Sequence, residues 1–119
     1  MKKTIVLGAS TNPERYSFIA TVRLKNAGFE VVPVGISDGE IEGLKILVGH
    51  PAIENVDTVT LYIGSKNQPS YYDYILSLKP NRVIFNPGTE NPNFYTILTK
   101  NNIAYLEACT LVMLSVNDF

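Results

Sequence analysis

Short apolar runs rich in β-branched residues alternate with stretches of helical spacing along this whole chain, and few architectures accept that order. Residues 4–8 read as a first strand. Asn12 then reads as a helix N-cap, Pro13 as the first helical position and Glu14 as a complement to the dipole. Phe18, Ile19, Val22 and Ala27 recur at helical spacing, and Gly28 supplies a stop. Residues 29–34 form the second strand. Residues 35–49 are less regular, with Gly39 and Gly43 as punctuation and residues 44–48 as a short extra strand or an irregular connection. Residues 50–56, opened by His50-Pro51, read as a short helix. A β-branched strand over 58–63, a helix over 69–78, a break at Pro80-Asn81 and a strand over 82–86 follow. Asn91-Pro92 repeats the cap-then-proline start for a helix to about residue 101, before a last strand over 103–106 and a tail over 108–119. Such alternation predicts a parallel sheet with helices on both faces, joined by right-handed crossovers. The expected architecture is one doubly wound α/β domain over residues 1–119, with about five parallel strands.

Bulk properties narrow the partners. The chain has 119 residues, 45% apolar and 18% charged, which suits one globular domain with its own core. A formal net charge of −1 gives no electrostatic basis for a nucleic-acid partner or a membrane surface. Cys109 is the only cysteine, so no intrachain disulfide forms, in keeping with a reducing compartment. The apolar run after Met1-Lys2-Lys3-Thr4 is shorter than the roughly 7–15 residues of a signal peptide or the roughly 20 of a membrane span. A cytoplasmic protein with no membrane association is the expectation.

Gly8-Ala9-Ser10-Thr11-Asn12-Pro13-Glu14-Arg15 follows the first strand and opens the first helix. Strand, small-residue turn and helix start together make a phosphate site, because backbone N–H groups converge there and the helix dipole adds positive charge. Ligands of open α/β sheets lie beyond the carboxyl ends of the strands. The segments expected on that edge are Gly8-Ala9-Ser10, Val34-Gly35-Ile36, Gly64-Ser65-Lys66, Asn86-Pro87-Gly88-Thr89 and Ala108-Cys109. All are small or turn-forming. The first loop departs from the dinucleotide fingerprint, with Gly8, Ser10 and Pro13 at its three positions, and Asp38 lies beyond the end of the second strand. Arg15 is a cation in a first helical turn, where the dipole disfavours it, and it suits an anionic ligand. Ser10 and Ser17 carry hydroxyls able to donate to phosphate. Lys66 reads as a solvated loop residue, and His50 lacks a second metal ligand at useful spacing. Cys109 reads as a small buried hydrophobe or a thiol facing the ligand. Tyr71, Tyr72 and Tyr74 read as packing, or as a self-association surface that would make a homodimer. No catalytic set emerges; Glu90 and Glu107 are isolated.

Taken together these residues resemble the stand-alone CoA-binding proteins, a small Rossmann-like family related to the CoA-binding domain of succinyl-CoA synthetase and acyl-CoA synthetases. The likeness covers nearly the whole chain. Residues 8–17 resemble the family's G-x-S-x-x-P-x-R-x-S loop, Val31-Val32-Pro33-Val34 its V-x-P-V strand end, Glu40-Ile41-Glu42-Gly43 its E-I-x-G turn, and residues 86–91 its Q-P-G-x-x-N segment. Cys109 falls where the family has a cysteine after the last strand. The chain departs from the family at Gly35, at Gly64-Ser65-Lys66 and at Ala108-Cys109-Thr110. The resemblance implies that Gly8, Ala9, Ser10, Asn12, Arg15 and Ser17 surround the diphosphate of CoA or an acyl-CoA. It further places Val34 and Gly35 near adenine, and Ile63, Gly64 and Ser65 along the ligand's path. Asn86, Gly88 and Cys109 complete the edge. A non-catalytic CoA-binding protein is the expected function, one that carries, senses or protects CoA or an acyl-CoA, or presents it to a protein partner. The residues leave open a divergent NAD(P)- or nucleotide-binding oxidoreductase and a ligand-free interaction module.

Overall fold

A computed structural model describes residues 2–119. Seven strands form one sheet in the order β3-β4-β2-β1-β5-β6-β7. In chain order these are β1 (Lys3–Leu7), β2 (Glu30–Gly35), β3 (Gly39–Ile41), β4 (Leu44–Val48), β5 (Val56–Leu61), β6 (Arg82–Phe85) and β7 (Ala104–Glu107). All neighbours pair in parallel except β3 with β4. The sheet is therefore wider than the expected five strands. The two additional strands come from the glycine-punctuated segment after β2, where Leu44–Val48 pairs with β2 and Gly39–Ile41 folds back on it. Glu42 and Gly43 both have positive φ (44° and 88°), as a two-residue hairpin turn with the right twist requires.

Alternation along β1 sends its side chains to opposite faces. Ile5 and Leu7 join a core with Val59, Leu61, Phe85, Phe94 and Leu98, beneath α2 (Tyr72–Leu78) and α3 (Pro92–Lys100). Val6 joins Leu24 and Val31 on the other face, beneath α1 (Tyr16–Asn26) and α4 (Thr110–Ser115), with Tyr62, Leu114 and Phe119 packed around them. The central strands are buried on both faces, which is why they read as unbroken apolar runs. No helix among the described residues is long and apolar enough to cross a membrane.

One predicted helix start shifts, and one predicted helix does not form. The first helix starts at Tyr16, with Arg15 as its N-cap, and not at Asn12-Pro13. Asn12 instead accepts the Glu14 N–H on its side chain at 3.0 Å and the Arg15 N–H on its carbonyl at 3.0 Å, while Ser10 Oγ accepts the Asn12 N–H at 3.1 Å. The side-chain oxygens that favour a cap also build turns, and here a turn wins. Residues 50–56 form no helix. The Tyr74 hydroxyl donates to the Pro51 carbonyl at 2.6 Å, the His50 ring stacks on Tyr74, and Ile53 packs against the core. Those contacts hold the segment extended across α2. At the other predicted cap the expectation holds, with Asn91 Oδ1 accepting the Phe94 N–H and Pro92 opening α3.

At the start of β5, the Asp57 carboxylate accepts from Asn81 Nδ2 at 2.9 Å and from Thr58 Oγ1 at 2.8 Å. The Asn81 hydrogen bond is the largest cause holding its pKa below the ordinary 3.8. A depressed folded-state pKa contributes stability above the unfolded value, and that contribution is lost as pH falls through the folded one. Asp57→Asn should cost about 0.5 kcal/mol near pH 7, a small amount because water screens a part-exposed carboxylate. Urea titrations should show that deficit shrinking as the pH drops below about 4.

Candidate functional site

The sheet reverses direction of growth at β1, with β2 on one side and β5 on the other. Beyond the carboxyl ends of these strands lies an open crevice of about 800 Å³. A crevice at this position is where the doubly wound topology leaves room for a ligand.

One wall is the first loop with the start of α1. Gly8 turns the chain at φ +100°, a region that β-branched residues avoid. A Cβ there would stand 3.0 Å from the Tyr62 carbonyl carbon and oxygen and 3.1 Å from Ile63 Cγ1, so β1 and β5 leave no room for one. The Gly8 and Ala9 N–H groups both donate to the Val34 carbonyl at 2.9 Å. They tie the loop to β2 and are not the free donors of the turn. The N–H groups of Ser10, Thr11, Tyr16 and Ser17 have no acceptor among the described residues. The last two belong to the first turn of the 11-residue α1, at the positive end of its dipole. Arg15 is exposed beside them and has no ion-pair partner among the described residues. Ser17 is buried at 4% exposure and lines the crevice, its hydroxyl free of hydrogen bonds among the described residues.

The second wall is the exit of β2, from Gly35 through Ile36 and Ser37 to Asp38. The third is the exit of β5, with Tyr62, Ile63 and Gly64, backed by Tyr71. The Tyr62 hydroxyl is enclosed and makes no hydrogen bond among the described residues. Burial pushes its phenol up to about 12, against the weaker opposing pull of the nearby Thr110 and Thr60 hydroxyls, so it stays neutral. The fourth wall is Pro87, Gly88 and Thr89 after β6. The Gly88 N–H there already donates to Glu90 Oε1 at 2.9 Å.

Buried amides lock these walls together. Gln68, with no exposed surface, donates to the Ile63 and Thr89 carbonyls at 2.8 and 2.7 Å and accepts from Asn91 Nδ2 at 2.8 Å. Asn86 Nδ2 donates to Thr60 Oγ1 at 2.7 Å and to the Leu61 carbonyl at 2.8 Å, while its Oδ1 accepts the Thr110 N–H at 2.9 Å. Each amide spans two or three elements distant in sequence.

Of the residues expected at the site, Gly8, Ala9, Ser10, Arg15, Ser17 and Gly35 line the crevice, as do Ile63, Gly64 and Gly88. The other five lie outside the lining. Val34 is buried in the core at 0% exposure, and Asn86 is enclosed at 2%. Asn12 is exposed in the turn before α1, Ser65 is exposed in a short 3₁₀ segment, and Cys109 is half-buried ahead of α4. Ile36 and Thr89, from the expected edge segments, also line the crevice, as do Tyr16, Tyr62 and Tyr71, which lie outside those segments. The alternation of β5 and the loop after β2 carried a signal for Tyr62 and Ile36. Nothing local marks Gln68.

Comparison with known proteins finds a family and related folds for the chain. A family model described as the CoA binding domain matches residues 2–115. A solved structure of an uncharacterized protein is 55% identical, with a TM-score of 0.96 over 100% of this chain and 98% of that one. An uncharacterized Bacillus subtilis protein, YneT, is 25% identical over 93% of this chain and 84% of its own length. The fold also recurs in an acetyl-coenzyme A synthetase of Candidatus Korarchaeum cryptofilum, solved with phosphate and ADP. There the identity is 17% and the TM-score 0.73, over 89% of this chain and 25% of the synthetase.

Proposed function

Because the chain belongs to the CoA binding domain family, we propose that it holds CoA or an acyl-CoA along the carboxyl edge of its sheet and performs no chemistry on it. One observation carries this reading. N–H groups without partners, at Ser10, Thr11, Tyr16 and Ser17, lie in the first loop and the first turn of α1, on either side of the unpaired Arg15 in the chain. Oriented amides, a helix N-terminus and a guanidinium are the groups that satisfy a diphosphate. Ser10 and Ser17 add hydroxyl donors. Gly8, Ala9 and Gly35 let the backbone come close enough for contact.

From the diphosphate the adenosine extends over the β2 exit. Tyr16 and Ile36 stand on that rim at 70% and 83% exposure, and an adenine ring would cover their apolar surface. The pantetheine arm runs the other way, past Ile63, Gly64 and Gly88, with neutral Tyr62 beneath it. Val34 and Asn86 hold the walls from behind, through the Val34 carbonyl and the Asn86 amide.

Calorimetric titration of the full chain with CoA, NAD and ADP tests the reading. CoA should saturate one site and bind more tightly than NAD or ADP. Arg15→Ala should weaken CoA about tenfold, the worth of one charge-assisted contact at an exposed site, with unchanged thermal stability. A folded protein that takes up no CoA would refute the proposal.

A further inference from the structure

We infer that the crevice selects adenosine diphosphate ligands whose ribose carries no phosphate, so that within the CoA class it prefers the dephospho form, and that Asp38 is the residue that imposes this choice. The inference rests on the reading above and sharpens its ligand. It starts from charge. Among the described residues lining the crevice, Arg15 is the only cation and Asp38 the only carboxylate. Arg15 and the unpartnered amides match the two charges of a diphosphate. A ribose monophosphate adds about 1.5–2 further negative charges, and the lining offers no second cation to meet them.

Position then identifies Asp38 as the group that phosphate would meet. In doubly wound sheets a carboxylate at the exit of the second strand takes the ribose hydroxyls of a nucleotide whose diphosphate sits on the first loop. Asp38 lies three residues past Gly35, the last residue of β2, and lines the same crevice as Ser10 and Arg15. Its segment is held there. A Cβ on the adjacent Gly39 would collide with Thr11 Cγ2, so the β2 exit rests directly on the first loop. Gly39 also begins β3, whose pairing with β4 fixes the far side of Asp38. The carboxylate thus presents two acceptors to a 2′,3′-diol, and it repels a phosphate at either hydroxyl.

Parallel calorimetric titrations of the full chain with CoA and dephospho-CoA test this, with ADP and 3′-phosphoadenosine 5′-diphosphate as fragments lacking pantetheine. Dephospho-CoA should bind about tenfold more tightly than CoA, as one uncompensated like-charge pair near the surface implies. ADP should exceed its 3′-phosphorylated counterpart in the same direction. Asp38→Asn, at an exposed position, should bring the CoA to dephospho-CoA ratio to within about twofold, chiefly by strengthening CoA. Saturable CoA binding at least as tight as dephospho-CoA would overturn the inference and leave the proposed function standing. An unchanged ratio in Asp38→Asn would overturn the assignment of this choice to Asp38. Failure of both pantetheine ligands to bind would overturn the proposed function and the inference together.

Discussion

Gly8→Val should abolish CoA binding, weakening it at least about a hundredfold, while the chain still folds. Three observations set this size. Gly8 sits at φ +100°, which for a valine costs about 1–3 kcal/mol of backbone strain. A Cβ would stand 3.0 Å from the Tyr62 carbonyl group, a backbone contact that cannot swing aside. Relief must come from moving the β5 exit, which carries Ile63 and Gly64, away from the first loop. That separates two walls of the crevice by the few tenths of an ångström that oriented amide contacts do not tolerate. Gly28→Val is the matched control. Gly28 has a similar φ of +93° beyond the end of α1, but nothing lies within 4 Å of its Cβ position. Both variants should lose thermal stability, and only Gly8→Val should lose CoA in a titration. Equal affinities for the two would mean that the crevice between β1 and β5 is not the site.

Asn86→Ala should produce the largest loss of stability, about 3–5 kcal/mol by urea unfolding. The side chain is 2% exposed and makes three hydrogen bonds, to Thr60, the Leu61 carbonyl and the Thr110 N–H. Its truncation strands the Leu61 carbonyl and the Thr110 N–H without water, and each stranded group costs about 1–3 kcal/mol. Thr60 keeps its 2.7 Å hydrogen bond with the Thr110 hydroxyl and so is not stranded. Asn86→Asp should do no better, because it removes both donors and buries a charge. The same variants decide how Asn86 relates to the ligand. If it only joins β5, β6 and α4, CoA affinity of the folded Asn86→Ala protein stays within about threefold of the parent. A collapse of affinity with stability intact would make Asn86 a direct contact.

The readable parts of this chain were those whose signal is local. The β-branched runs announced β1, β2, β5 and β6, Gly28 announced the end of α1, and Asn91-Pro92 announced α3. The errors came where one local signal has two outcomes. Asn12-Pro13 caps a helix or builds a turn, and the hydrogen bonds to Ser10 and Arg15 chose the turn. His50-Pro51 opens a helix or extends, and stacking on Tyr74 chose extension. The short pair β3 and β4 lay in a glycine-rich stretch whose pairing depends on what β2 has left open on its edge.

For the site, residues following a strand were found because topology alone sends every such loop to the same edge. Residue order could not reveal which of those side chains face the crevice and which turn into the core. Val34 and Gly35 are adjacent and both buried, yet only Gly35 borders the crevice, where its missing Cβ leaves room for the Ala9 carbonyl. Gln68 and Asn86 lock loops that are 21 and 24 residues away in sequence, so nothing in their own neighbourhoods marks them. The sequence by itself determined the alternation of strand and helix, the small-residue turn at Gly8 and the cation at Arg15, because each depends on steric and electrostatic preferences of neighbouring residues. Packing alone settles that the Gly8 and Ala9 amides are spent on Val34, that the donors at Ser10, Thr11, Tyr16 and Ser17 remain, and that Asp38 lines the same crevice as Arg15. Those outcomes depend on which hydrogen bonds and contacts the packed strands satisfy first, and that is settled between segments far apart in the chain.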